Sequence, residues 1–301
     1  MVHYLGELAA VTTSACYSVS SVLYTFAGRK LAALVINRLR LILAVLLLVS
    51  VHWGVLGMPF PMNAGLPRWF WLGTSGIVGL ALGDFFLFQA YGCIGPRLSS
   101  LMMSLAPILV TLLAWVFYGE ALGILSLLGI GLTVGGIAWV ILERSPGVSG
   151  NKYPADYLRG ILFGLGATIF QAVGVILAKE GLQGGFPAVS ANLIRMTSAM
   201  IALWALTLLQ KQALPTYNQL MKQKGAVPLI LGGAILGPFL GVSLSLFSLQ
   251  RADAGVASTL SSLAPIFLLP ISYFVFKERF GWPAILGTIV ALAGVALLFL
   301  V

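Results

Sequence analysis

Residues 105–108 read Leu105-Ala106-Pro107-Ile108, and residues 263–266 read Leu263-Ala264-Pro265-Ile266. Each is followed by an apolar run and then, at the same distance, a glutamate: Glu120 in one case and Glu278 in the other. The same offset lays residues 79–142 over 237–300 without a gap. Gly79 and Gly83 fall on Gly237 and Gly241, Ser100 on Ser258, Gly123 on Gly281, Leu128-Gly129 on Leu286-Gly287, and Gly136 on Gly294. Two apolar segments share Leu and Ala by chance, but they do not by chance share a proline, a glutamate and several glycines in one register. The chain is therefore an internal repeat with a period of about 150 residues.

Upstream the match continues at slightly shorter offsets. Asn37-Arg38-Leu39-Arg40 lies over Asn192-Leu193-Ile194-Arg195, sharing Asn-x-x-Arg, while Gly6, Val19 and Leu23 lie over Gly160, Val173 and Leu177. The order of elements is the same in both copies.

Composition says where this repeat lives. Of 301 residues 59% are apolar and 8% charged, whereas a soluble domain carries roughly a quarter charged. An ordinary water-soluble enzyme is excluded. Apolar runs long enough to cross a bilayer fall near 5–27, 33–52, 69–91, 96–118, 123–142, 158–178, 188–209, 226–249, 254–276 and 282–301. The polar stretch 143–157 (ERSPGVSGNKYPADY) reads as a linker between a first repeat, 1–142, and a second, 158–301. Five spans is an odd number, so the second repeat enters from the opposite face. The expected fold is an all-α polytopic membrane protein whose ten transmembrane helices form two five-helix inverted repeats, an arrangement that places a binding site at the repeat interface.

Two five-helix halves, each with a Leu-Ala-Pro helix followed by Gly119-Glu120 or Lys277-Glu278, a short turn and a Gly-rich last helix, resemble the EamA-type permeases of the drug/metabolite transporter superfamily. The resemblance covers essentially the whole chain. It implies ten helices, both termini on one side, alternating access, and export of amino acids or other small metabolites from the cell through the inner (plasma) membrane. It implies no particular substrate.

Candidate solute contacts follow from polar residues inside spans. Ser100, Met103 and Ser104 before Pro107, and Ser258, Ser261 and Ser262 before Pro265, have spacings that share one helical face. An interior proline frees a carbonyl that such hydroxyls, or a passing solute, can satisfy; packing alone is the competing explanation. Asp84 is the acidic residue well inside a span. It must face a wet cavity or a basic partner, which makes it a candidate ammonium contact or proton carrier, or else the partner of Arg38, Arg40 or Arg195. Arg40 and Arg195 match each other and a frequent arginine of the family, which favours a structural role; Arg38, opposite Leu193, is the candidate for a substrate carboxylate. Ser14, Tyr17, Gln89 and Gln171 sit in spans whose family counterparts line the translocation path.

The glycine pairs Gly79/Gly83, Gly237/Gly241 and Gly131/Gly135 read as close helix contacts. Glu120 and Glu278 read as turn caps, and Trp69, Trp71 and Trp282 as interfacial anchors. The net charge of +9 sits mostly in short connections and points to lipid headgroups rather than nucleic acid. Outside the spans or at their very ends, Arg68, Lys179 and Arg251 lie on one face and eleven Lys and Arg, Arg97 and Arg159 among them, on the other. That bias places both termini outside the cytoplasm, whereas the resemblance places them inside. No metal spacing and no cofactor motif accompanies His3, His52, Cys16 or Cys93. The implied partners are a small, zwitterion-like solute, a proton as candidate co-substrate, and the bilayer, for a monomer or homodimer. Two rival readings are a non-transporting membrane scaffold or sensor and an intramembrane enzyme, for which a nucleophile–base pair is missing.

Overall fold

The computed structural model describes residues 5–118, 123–142, 154–251, 260–277 and 281–299. Among the described residues there are helices and no strand. Helix α1 (Leu5–Gly28) and α2 (Ala33–Leu56) form the first two spans. The third span runs through α3 (Gly65–Ser75), a π-helical segment (Gly76–Gly83) and the first part of α4 (Asp84–Met103). The rest of α4 and α5 (Ala106–Tyr118) form the fourth, and α6 (Ile124–Leu142) the fifth. The second half repeats this with α7 (Pro154–Leu182), α8 (Ala188–Leu209), then α10 (Val227–Ala234), a π-helical segment (Ile235–Gly241) and α11 (Val242–Arg251), then α12 (Ala264–Val275) and α13 (Trp282–Phe299). A short amphipathic helix, α9 (Ala213–Lys222), lies between the seventh and eighth spans.

Local sequence explains the ends. Helix α2 stops at Gly57, whose φ of 71° lets its N–H return to the Trp53 carbonyl, a left-handed cap that favours glycine. Gly95 (φ 76°, ψ 169°) followed by Pro96 separates the third span from the fourth. Helix α1 carries five buried hydroxyl residues, Thr13, Ser14, Ser18, Ser20 and Ser21. Several of these hydroxyls donate within the helix, as Thr13 to Ala9 at 2.8 Å and Ser18 to Ser14 at 2.7 Å, which removes the cost of a bare polar group in an apolar setting. Five of the described helical stretches are long and apolar enough to cross a membrane on their own, and Leu127–Val140, Ala264–Val275 and Trp282–Leu297 are shorter apolar helices. The protein is multi-pass.

The inverted repeat is visible atom by atom. Helix α6 packs along α13: a Cβ at Gly136 would lie 2.5 Å from the Ala291 nitrogen and 2.6 Å from the Gly287 oxygen. At Gly294 it would lie 2.5 Å from the Thr133 nitrogen and 2.6 Å from the Gly129 oxygen. Each contact is the other carried through the repeat, as a two-fold requires. Helices α2 and α8 form a second seam on the same axis, with Leu41, Ala44 and Leu48 against Leu193, Met196 and Ala199. Off the axis, the first helix of each half packs on the third span of the other. There Ser75 donates to the Gly174 carbonyl at 2.6 Å, and Ser20 to the Gly233 carbonyl at 2.9 Å.

Two expectations are corrected. Gly131 and Gly135 are not a contact pair, since a Cβ at either meets nothing within 4 Å; the close approach uses Gly136, the next residue, about 100° further round the helix. The run from Ser100 to Pro107 is not one helical face either. The chain turns at Ser104-Leu105, so Pro107 sits in the first turn of a new helix, where no internal hydrogen bond is lost. Helix α12 begins in the same way, with Pro265 in its first turn. Glu120, Glu278 and Ser258 lie outside the described residues, as does most of the expected linker.

Candidate functional site

The π-helical segments occupy corresponding positions in the two halves, Gly76–Gly83 and Ile235–Gly241. A π turn shifts the hydrogen-bond ladder by one residue and leaves carbonyls short of a donor. The shared asparagine supplies it. Asn37 donates through Nδ2 to Leu80 O at 3.3 Å and Ala81 O at 3.1 Å, and Asn192 donates to Pro238 O at 3.0 Å. Leu80 and Pro238 are repeat partners. Asn37→Ala and Asn192→Ala are each expected to cost about 1–3 kcal/mol by leaving buried carbonyls unmatched, read as a lower unfolding temperature in detergent. Unchanged temperatures for both would show that the asparagines do not hold the π segments.

The broken helices are served in a parallel way. Ser14 donates to Leu260 O at 2.6 Å and Ser18 to Ala264 O at 3.0 Å, while Thr168 donates to Met102 O at 3.1 Å. Ser14 and Thr168 are repeat partners, as are Leu260 and Met102. The Met102 and Leu260 carbonyls at the two breaks, which also close the local turn with the N–H of Leu105 and Leu263, therefore accept from the first helix of the opposite half rather than from Ser100 or Ser104. Met103 lies beside this contact, its Sδ 3.9 Å from Thr168 Oγ1.

On this frame sits a buried polar core. Asp84, 5% exposed, opens α4 at the end of the π segment. Its Oδ2 pairs with Arg40 Nη2, and its Oδ1 accepts from Gln171 Nε2 at 3.2 Å. Arg40 also donates to Asn37 Oδ1 from Nε at 3.2 Å and from Nη2 at 3.1 Å. Its guanidinium lies 5.2 Å from the Phe88 ring centroid and 6.0 Å from that of Tyr24, within cation–π range. Arg195, 6% exposed, lies at the matching place in the second half. Gly76 admits its backbone, for a Cβ there would collide with the Arg195 carbonyl. The repeat partner of Asp84 is Val242, so the carboxylate exists on one side of the axis alone.

Other candidates fall around this core or away from it. Tyr17 and Gln171, repeat partners, lie against the glycines that end the two π segments, Tyr17 at Gly241 and Gln171 at Gly83. Gln89 lines a cavity of about 140 Å³ with Tyr24, Phe88 and Tyr91. Tyr24 and Phe88, 4.9 Å apart between ring centroids, thus stand between that cavity and Arg40. Ser104 is buried at the break, and Ser100, Ser261 and Ser262 are half-buried near the two breaks. Arg38 is held elsewhere: its side chain donates to Thr216 on the amphipathic helix α9, and its carbonyl accepts from Trp204 Nε1 at 3.4 Å. Residues 38 and 40 point to different sides of α2, as a helix demands. Sequence reasoning weighed Arg40 as a structural residue and did not single out Asn37, Asn192 or Thr168; the shared Asn-x-x-Arg pattern was the signal for the first two.

Comparison with known proteins agrees with this architecture. A chloroplastic WAT1-related protein of Arabidopsis thaliana is 25% identical over 241 residues, 79% of this chain and 56% of its own. The transporter YdfC of Bacillus subtilis is 31% identical over 139 residues, 46% of this chain and 41% of its own. The chain spans about half the length of these curated relatives. A crystal structure of another protein shares the fold at a TM-score of 0.64 and 17% identity, covering 98% of this chain and 96% of that one. The sequence model of the EamA-like transporter family matches residues 4–142 and 158–300. With two family matches, one to each inverted half, the chain belongs to the EamA-like transporter family.

Proposed function

We propose that this protein is a secondary active transporter that exports small polar metabolites, amino acids among them, across the inner (plasma) membrane by rocking of its two halves. The observation that carries this reading is the pair of π segments and broken helices, set in inverted repeat around one buried polar core. Irregular backbone at membrane depth is tolerated where it lines a cavity or is buried in protein, and secondary transporters hold their solute at such a repeat interface. The relative named as a transporter supports the same reading. The sequence carries no Gly-rich phosphate loop with its lysine, so a solute or ion gradient is the driving force.

Within this reading Asp84 holds the core together. Both of its oxygens already have partners in Arg40 and Gln171, which leaves it poorly placed to meet a substrate ammonium or to carry a proton. The solute meets the half-buried groups instead: Tyr17, Gln171, Gln89, Ser100, Ser261 and Ser262.

The test is counterflow of labelled amino acids into proteoliposomes, without nucleotide. Exchange above that of empty vesicles is expected, and single cysteines at Ser104→Cys and Ser262→Cys are expected to react with an impermeant thiol reagent from both faces. Absence of exchange for every amino acid, with labelling from one face alone, would sink the proposal in favour of a scaffold.

A further inference from the structure

Both halves carry Asn-x-x-Arg, yet the two copies are in different states. In the first, Arg40 Nε donates to Asn37 Oδ1 at 3.2 Å. In the second, Arg195 Nε and Asn192 Oδ1 are both buried without a hydrogen-bond partner. The arginine has left its own asparagine, and a donor and an acceptor that satisfy each other in one half are orphaned in the other. Arg195 is turned toward the middle of the molecule. Its Nη2 and Gln171 Oε1 both lie over Gly79, 3.7 and 3.3 Å from where a Cβ would stand, and Tyr17 and Asp84 are its ionisable neighbours.

Charge makes this arrangement incomplete. The core holds two guanidinium groups, Arg40 and Arg195, against the single carboxylate of Asp84, and Arg40 has taken that carboxylate. Arg195 stands seven residues into α8, so roughly 10 Å from its start at 1.5 Å per residue, too deep to reach water as an end residue does. An unpaired cation in such a place is costly. Val242 marks the carboxylate that the repeat withholds.

We infer that Arg195 is the recognition site for a carboxylate on the transported solute, which brings the missing negative charge with it. This deepens the transporter reading and rests on it. A guanidinium offers paired N–H donors that match the two oxygens of a carboxylate. One negative charge balances the core, whereas a phosphate monoester, with nearly two, would reverse its sign. Gln171 Oε1, over the same glycine as Arg195 Nη2, accepts from an N–H that the solute carries.

The test uses the purified full chain in detergent and reads ligand-induced shifts in unfolding temperature. The panel pairs acetate, benzoate and the amino acids with the amines lacking their carboxyl groups, and adds inorganic phosphate. Carboxylates are expected to raise the unfolding temperature of the unaltered protein, and their amines are not. Arg195→Gln is expected to weaken carboxylate binding about a hundredfold, the usual order when one partner of a buried charge pair is removed. Val242→Asp, which restores the missing carboxylate, is expected to abolish the shift while the protein folds, and Ser50→Ala to leave it intact. A readout independent of any ligand accompanies these: Arg195→Met is expected to unfold no earlier than the unaltered protein, because it removes an unpaired charge. The proposal is overturned if no carboxylate gives a shift, if the shift survives Arg195→Gln, if phosphate alone gives it, or if Arg195→Met unfolds well below the unaltered protein. Binding intact without counterflow in proteoliposomes would fell the transport reading and leave the anion site standing.

Discussion

Replacing Asp84 by leucine is expected to leave little folded protein, and replacing Arg40 by methionine to do nearly the same, while the double replacement recovers most of the loss. Each single change strands the opposite charge among apolar neighbours. Asp84 and Arg40 are each 5% exposed, and breaking such a pair from one side costs about 3–5 kcal/mol. For Arg40 the loss is compounded, because its contacts with Asn37 Oδ1, Phe88 and Tyr24 go too. Removing both charges leaves a smaller deficit, since a buried ion pair is worth little over apolar groups that fill the same space. Asp84→Asn is expected to fall between, keeping a hydrogen-bond acceptor for Arg40 and losing the charge. The measurement is a double-mutant cycle on unfolding temperature, alongside the monodisperse fraction eluting from a sizing column. Additive single losses would mean that the two residues do not act as a pair, and the electrostatic account of the core would fail.

The cycle also separates the pair from the transport chemistry. If Asp84 carried the coupling proton, Asp84→Asn would abolish the response to a pH gradient even in the surviving folded fraction. With Asp84 committed to Arg40, the surviving fraction keeps whatever pH response the unaltered protein has.

The fold was legible because inverted repeats leave a trace that composition cannot imitate. Pro107 and Pro265, with the glycines aligned around them, gave the register, and five spans per repeat gave the inversion. The π segments were not legible, because reading apolar periodicity assumes 3.6 residues per turn and a single extra residue does not show. The breaks at Ser104 and Ser262 were misjudged for a related reason: a proline inside an apolar run reads as a kink, and only backbone geometry tells a kink from a new helix.

The buried polar core was legible in part from the sequence, and its pairings were not. Asp84 was marked by its cost in a membrane, and its partner was among three arginines; helical spacing separates Arg38 from Arg40 but does not say which side faces the core. Arg38 looked the more individual because Leu193 stands opposite it, yet it reaches Thr216 on α9. The informative difference lay between Arg40 and Arg195, which the repeat equates and Val242 sets apart.

The seam between α6 and α13 is where the smallest change is expected to have a comparably large effect. Gly136→Leu and Gly294→Leu each drive a side chain into backbone atoms of the facing helix, at 2.5–2.6 Å for the first carbon alone. Backbone cannot rotate away as a side chain can, so the helices must part along their length. Overpacking of this kind costs about 1–3 kcal/mol and sometimes more, and a main-chain collision belongs at the upper end. Gly131→Ala and Gly135→Ala, on a different face of α6, meet nothing within 4 Å. They are expected to be neutral or to stabilise by up to about 1 kcal/mol through helix propensity. The contrast matters because Gly131-x-x-x-Gly135 is the pattern that motif reading favours, while Gly136 was marked only by its match to Gly294. Loss of folded protein in the Gly136 and Gly294 variants, with none in the other two, would establish that the repeat register predicts helix contact better than glycine spacing does. If Gly131→Ala and Gly135→Ala prove the damaging pair, α6 and α13 meet through a different face, and the two-fold seam described here is misplaced.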